Sequence, residues 1–392
     1  STEPVVLAVT ASSSSAVGTY EATQVSAAGE WNVSPGSGEF TYNYPMSVPA
    51  PAGGQVPEVG LSYSSGAVDG LTLGSNAQAS PAGVGWGDFA SGFIERGYQP
   101  CVEAEVVFTT DLCWNGHNAS ISLGGVSGPL VPLDDDYRQW RVQNDPGWRI
   151  ERVGTPGGPG VVGESGSEYW VVTGPDGTQY WFGLHYDPDT DGTTNGGWWV
   201  PVVGDHAGEP CYQVSNCNLV WRWNLDRVVD PNGNLTTHFY TRESNMYDAV
   251  LGLAPRQPYI RSGMVDRIEY GGRDGTTLAP AGQVTFGVQN RCAFLVQGCP
   301  AAESGSTSYY EDVPIDLVCD VQSNCPSTAP VFFSGRRYSH VRTDVRVGNT
   351  WRAVSQYNLL HDFLTHNTSV DAKLYMEAIQ YAGVATVGSV SR

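Results

Sequence analysis

Positive charge is scarce in this chain. Of 392 residues, 20 are Lys or Arg against 40 Asp or Glu, a formal net charge of −20. A field of that sign repels phosphate backbones and anionic lipid surfaces, which excludes nucleic acid as a partner. Long apolar runs are missing as well. The longest near the start, Val5-Val6-Leu7-Ala8-Val9, is too short to cross a bilayer as a helix and follows no charged segment, so no membrane span is expected. The seven histidines form no HExxH, and no GxSxG elbow occurs; zinc proteolysis and serine hydrolysis therefore have no local support. Gly158-Pro159-Gly160-Val161-Val162-Gly163 matches GxGxxG in form. Pro156 and the want of a following helix pattern argue against a dinucleotide there.

What is abundant is the chemistry of turns. With 48 Gly and 25 Pro, long helices have little room, because Gly loses entropy on ordering and Pro lacks the N–H donor. Hydrophobic residues at 40% and aromatics at 11% still give the chain enough apolar surface to fold. Alternation marks strands at Phe40-Thr41-Tyr42-Asn43-Tyr44 and Val59-Gly60-Leu61-Ser62-Tyr63, parted by turn-rich residues 49–57. Glu168 to Thr173 and Gln179 to Phe182 flank Asp176-Gly177; Trp221 to Val228 and His238 to Tyr240 flank Asn232-Gly233. Asp-Gly and Asn-Gly supply the positive φ of a tight hairpin turn. A third such pair joins residues 341–347 and 351–360 across Gly348-Asn349. The best helical candidate is residues 371–380, although alternation in Lys373-Leu374-Tyr375-Met376 also permits a strand. The expected fold is all-β, with antiparallel hairpins forming a β-sandwich and a curved, shell-like sheet with disulfide-stapled loops.

Eight cysteines fall into four close pairs: Cys101/Cys113, Cys211/Cys217, Cys292/Cys299 and Cys319/Cys325. Eight allow about 105 connectivities, but even number and local pairing favour four loop staples made in an oxidising compartment. Zinc is the rival, and none of the pairs is a CxxC knuckle. Ser1 reads as a mature N-terminus of a secreted, extracellular protein whose signal peptide has been removed. The composition divides into an N-terminal arm, flexible or strand-donating, over residues 1–29, a first β module over 30–160, a hairpin module over 161–290, a cysteine-containing loop region over 291–330 and a C-terminal hairpin module over 331–392.

Three carboxylates alternate in Asp187-Pro188-Asp189-Thr190-Asp191-Gly192. That spacing aims hard oxygens at one point, so Asp187, Asp189 and Asp191 are candidate Ca²⁺ ligands. The twelfth position is Trp198, which rules out a complete EF-hand; an ordinary solvated acidic turn is the plain alternative. Asp134-Asp135-Asp136 lacks the alternation and reads as a loop. Trp198 and Trp199 are candidate sugar-stacking residues for a cell-surface glycan, whereas Trp221 and Trp223 share a strand face and read as packing.

Several segments, in order, resemble a known family. Gly38-Glu39-Phe40-Thr41-Tyr42, Pro45-Met46-Ser47-Val48-Pro49 and Pro57-Glu58-Val59-Gly60-Leu61-Ser62-Tyr63-Ser64-Ser65 look like the opening of SpvB/TcB-type and RHS-repeat proteins, and Gly83-Val84-Gly85-Trp86 and Gly92-Phe93-Ile94-Glu95-Arg96 continue it. Trp199-Val200-Pro201-Val202, Trp221-Arg222-Trp223-Asn224-Leu225-Asp226 and Val228-Val229-Asp230-Pro231-Asn232-Gly233-Asn234 are similar to the secreted actinobacterial RHS/YD branch. The resemblance runs from about residue 38 to residue 383. It implies a long antiparallel sheet wound into a hollow shell around a toxin or effector. The resulting expectation is a non-catalytic scaffold segment, with no catalytic or cofactor-binding residue assigned, that pairs through strand edges with the rest of a shell or with its own copies. A cell-envelope carbohydrate-binding module and a glycan-cleaving enzyme are the alternatives; in the latter, two acids among 40 would leave no spacing signature.

Overall fold

The computed structural model describes residues 14–15, 18–19, 30–33, 38–69, 78–89, 92–103, 109–124, 126–143, 147–156, 168–190, 192–214, 216–292, 310–321, 325–364 and 372–384. Strands β1 (Ser14–Ser15) and β2 (Gly18–Thr19) form a minimal pair; the rest of the expected N-terminal arm lies outside the described residues. Strands β3 (Glu30–Val33), β4 (Phe40–Pro45) and β5 (Gly60–Ser64) make a three-stranded antiparallel sheet. A one-turn helix, α1 (Ser65–Asp69), follows.

Next come β6 (Gly92–Glu95), β7 (Gln99–Pro100), β8 (Leu112–Cys113), β9 (Ser120–Leu123), β10 (Val126–Pro132), β11 (Gln139–Val142), β12 (Arg149–Val153), β13 (Tyr169–Thr173), β14 (Gln179–Phe182), β15 (Gly197–Val203) and β16 (Cys217–Val229). Neighbour pairing runs from β9 through β10, β11, β12, β13 and β14 to β16, and then through β6 back to β9. The ring is closed, so it has no edge of its own. Alternation fills it: in β11 and β12 every second residue is buried, and these inward positions include Trp140, Val142 and Ile150. Trp170 stands edge-on to Trp140 at 5.5 Å and to Trp223 at 5.8 Å, all three fully buried. An eight-stranded barrel is just narrow enough for side chains to plug it. The domain break expected at 160/161 falls inside this ring, because its strands come from both sides of that point.

Strands β17 (Asn234–Tyr247), β18 (Gln257–Arg273), β19 (Gly282–Asn290), β20 (Arg336–Val347), β21 (Thr350–Leu364) and β22 (Lys373–Gly383) extend β16 into an antiparallel meander. The expected Asn-Gly, Asp-Gly and Gly-Asn hairpins are present, with Gly177, Gly233 and Gly348 at φ of 87°, 79° and 61°. Residues 373–383 are strand, not helix. The alternation that buries Leu374 against β21 outweighs local helical preference. Register shifts interrupt β17–β18 at three places and β19–β20, β20–β21 and β21–β22 at one each; each is a bulge that bends the sheet.

The three-stranded sheet and residues 78–89 lie over the meander. Met46, Leu61 and Phe89 pack on Val265, Ile268, Val284, Phe286 and Tyr338. Tyrosine tips fasten this cover: Tyr270 Oη donates to Pro49 O (2.8 Å), Tyr338 Oη donates to Asp88 Oδ1 (2.7 Å), and Tyr357 Oη accepts from Ser47 N (2.8 Å). The chain is thus two-layered in one half and barrel in the other. Closure of the barrel was not expected from sequence.

Candidate functional site

Strand β16 belongs to both halves, and its side chains build the densest polar junction. Residues 222–224 pair with β6, 225–229 with β14, and 227–229 with β17. Asp226 is fully buried there. Its Oδ2 accepts from Leu184 N at 2.5 Å. Burial pushes this carboxyl up to about 7, against the pull of the Thr194 hydroxyl and of the amides of Leu184, His185 and Gly183. Gly196 must be glycine, since a Cβ there would stand 2.0 Å from Asp226 Oδ1. His185 and Asn195 adopt φ of 70° and 61°, a left-handed conformation that non-glycine residues rarely take. The Arg242 guanidinium donates to His185 Nδ1 (2.8 Å) and to Gly197 O. Burial and that neighbouring cation push His185 down to about 4, so it is neutral at pH 7.

The acidic turn adjoins this junction. Arg227 Nη1 donates to Asp187 Oδ1 at 2.9 Å, and Nη2 donates to Asp189 Oδ2 at 2.6 Å and to Asp274. Asp187 Oδ2 accepts from Thr190 Oγ1 and Asp189 Oδ2 from Gly275 N. Asp187 and Asp189 therefore meet around one guanidinium, which offsets part of the charge that they and Asp274 bring together. Asp191 lies outside the described residues. The signal that sequence reasoning missed is Arg227, 38 residues beyond Asp189, together with Asp274.

The tryptophan pair divides. Trp198 is 4% exposed; its ring packs on Trp221 at 5.6 Å and beneath the Arg222 guanidinium at 5.2 Å. It offers no face to a sugar, which corrects the stacking role expected of it. Trp199 is half-buried beside Val200, Val202 and Tyr259. Trp221 and Trp223 are packing residues, as expected: Trp221 Nε1 donates to Ile260 O and Trp223 Nε1 to Glu168 O.

Disulfides join Cys101–Cys113, Cys211–Cys217 and Cys319–Cys325. Cys292 is disulfide-bonded too, and Cys299 lies outside the described residues. Asp134 is a turn residue whose carboxylate accepts from Arg138 N and Gln139 N. One further cluster has no counterpart in the sequence reading. Asp205, His206 and Glu209 bring three donor atoms within 4.8 Å, but Glu209 Oε2 already accepts from the backbone N–H of Asp205 and of His206.

No family model matches the chain, and no curated protein matches it. Solved structures do. The TcdB2-TccC3 crystal structure aligns with 91% of this chain at 13% identity and a TM-score of 0.47. The N-terminal domain of effector protein SpvB from Salmonella typhimurium strain LT2 aligns with 87% of this chain and 98% of that domain, at 12% identity and the same TM-score. The chain resembles an SpvB/Tc-type N-terminal segment. It spans 16% of the length of the TcdB2-TccC3 chain and 15% of its TEV counterpart. At this identity the likeness is one of fold, and no residue's role passes through it.

Proposed function

We propose that this chain is a secreted, non-catalytic structural segment of an RHS/YD-type shell, and that it joins the rest of a shell or its own copies by pairing strands at the outer edge of β22. One observation carries the proposal. Residues 378–383 of β22 pair with β21 along one edge, and among the described residues no strand pairs with the other. Most of that stretch is exposed, Tyr381 at 60%. An uncovered edge is a row of unpaired N–H and C=O groups, a template for a further strand. The barrel half has closed this risk off, so the meander is where growth occurs. Three local disulfides support assembly in an oxidising compartment.

Light scattering across a concentration series tests the reading, with electron microscopy of the same samples. Concentration-dependent association is expected, and the double substitution Gln380→Lys/Ala382→Lys, at two exposed positions of that stretch, abolishes it while leaving the circular dichroism unchanged. A wild-type chain that stays strictly monomeric at tens of micromolar contradicts the proposal.

A further inference from the structure

A cavity of about 770 Å³ opens where the barrel meets the meander, a site independent of the β22 edge and of Trp198 and Trp199. Its walls come from three places: Tyr180 and Leu225 from the barrel, Thr236 and His238 from β17, the first strand of the meander after β16, and Glu58 from the loop before β5. The volume lies within the ~300–1,000 Å³ of small-molecule sites. Thr236 and His238 are two apart on β17 and so face the same side.

His238 is the telling residue. It is 2% exposed, and its Nδ1 is buried with no hydrogen-bond partner among the described residues. An unpaired buried nitrogen costs roughly 1–3 kcal/mol, and His238 is one of the residues that line the cavity. Burial alone pushes this imidazole down to about 3, leaving it neutral, with one donor and one acceptor nitrogen.

The lining also fixes the chemistry of the occupant. Among the described lining residues there is no Lys or Arg, and the chain as a whole is acidic, which excludes an anion. Asp230, at the rim, is spent on its own turn: it accepts from Asn232 N, Asn234 N and Asn234 Nδ2. That leaves Glu58, which is exposed and screened, as poor recognition for a cation. What remains is a neutral imidazole, the hydroxyls of Thr236 and Tyr180, the amides of Gln55 and Asn234, and the Tyr180 ring among aliphatic side chains. These match groups that both donate and accept and carry C–H faces between them. We infer that this cavity binds a neutral polyhydroxylated ligand, a short saccharide, with His238 and Thr236 hydrogen-bonding its hydroxyls and Tyr180 packing on its face.

The test is a titration of the intact, oxidised chain, ¹⁵N-labelled at histidine, with glucose, N-acetylglucosamine and maltose, and with choline and spermidine as cationic controls. Saturable shifts of the His238 ring nitrogens with at least one saccharide are expected. Affinity falls about tenfold or more in Thr236→Val and Tyr180→Ala, half-buried positions at which the fold survives, as circular dichroism verifies. Absence of a saturable response to all three saccharides overturns the inference. So does binding that both variants leave intact, or a response to the cations in place of the sugars.

Discussion

Replacing Asp226 by Asn should raise stability at pH 8 and leave it nearly unchanged at pH 4. The folded state holds this carboxyl near 7 instead of its ordinary 3.8, so between those values the folded chain keeps a proton that the unfolded chain has released. The folded state binds more protons, and stability therefore falls as pH rises through the window. The contribution is complete below about pH 4 and is lost once pH passes 7. At ~1.36 kcal/mol per tenfold change in proton affinity, the span is about 4 kcal/mol. Asn keeps an oxygen for the Leu184 amide, and its Nδ2 can donate to the Thr194 hydroxyl that bonds the carboxyl. Urea denaturation of both proteins from pH 4 to pH 8, with disulfides intact, gives the difference between them at each pH. Subtraction removes the background from His117, His185, His238 and His361, all held well below the ordinary histidine range. A difference that is flat with pH refutes the assignment of a buried, protonated Asp226.

Removing the guanidinium at the acidic turn, Arg227→Met, leaves buried Asp187 and half-buried Asp189 without their counter-ion and should cost about 3 kcal/mol by the same denaturation assay. Millimolar calcium should leave the wild-type midpoint where it is, because Arg227 already holds both carboxylates; a rise of several degrees would make the turn a metal site after all. Replacing Cys101 and Cys113, which are 12 residues apart, with Ser should cost about 3 kcal/mol through the loop entropy regained by the unfolded chain, and an unchanged midpoint would argue against that account.

Sequence reasoning reached the features that neighbouring residues decide. Asp176-Gly177 and Asn232-Gly233 made their hairpins because the positive φ and the alternating flanks sit within one short window. The cysteine pairs were equally local. Barrel closure was not legible, since β6 pairs with β16 across more than a hundred residues and nothing in either strand announces the other. Asp187 and Asp189 show the same limit: their spacing reads as a metal loop, and only the fold brings Arg227 and Asp274 between them. The segment at 373–383 carries both helical propensity and alternation, and the edge of β21 decided between them. Trp198 looked available for stacking because sequence does not reveal that Gly263, across the sheet, leaves room for its ring, a Cβ there falling 2.4 Å from it.

Strand β16 makes the barrel and the meander share one wall. Trp223 on that strand is plugged into the barrel, and four residues later Arg227 pairs across to both β14 and β17. A tug delivered along the meander therefore reaches the barrel through backbone that both halves share. It arrives in shear, with the ladders on either side of β16 loaded together and not peeled one bond at a time. The closed ring acts as an anchor block to which the meander is tied.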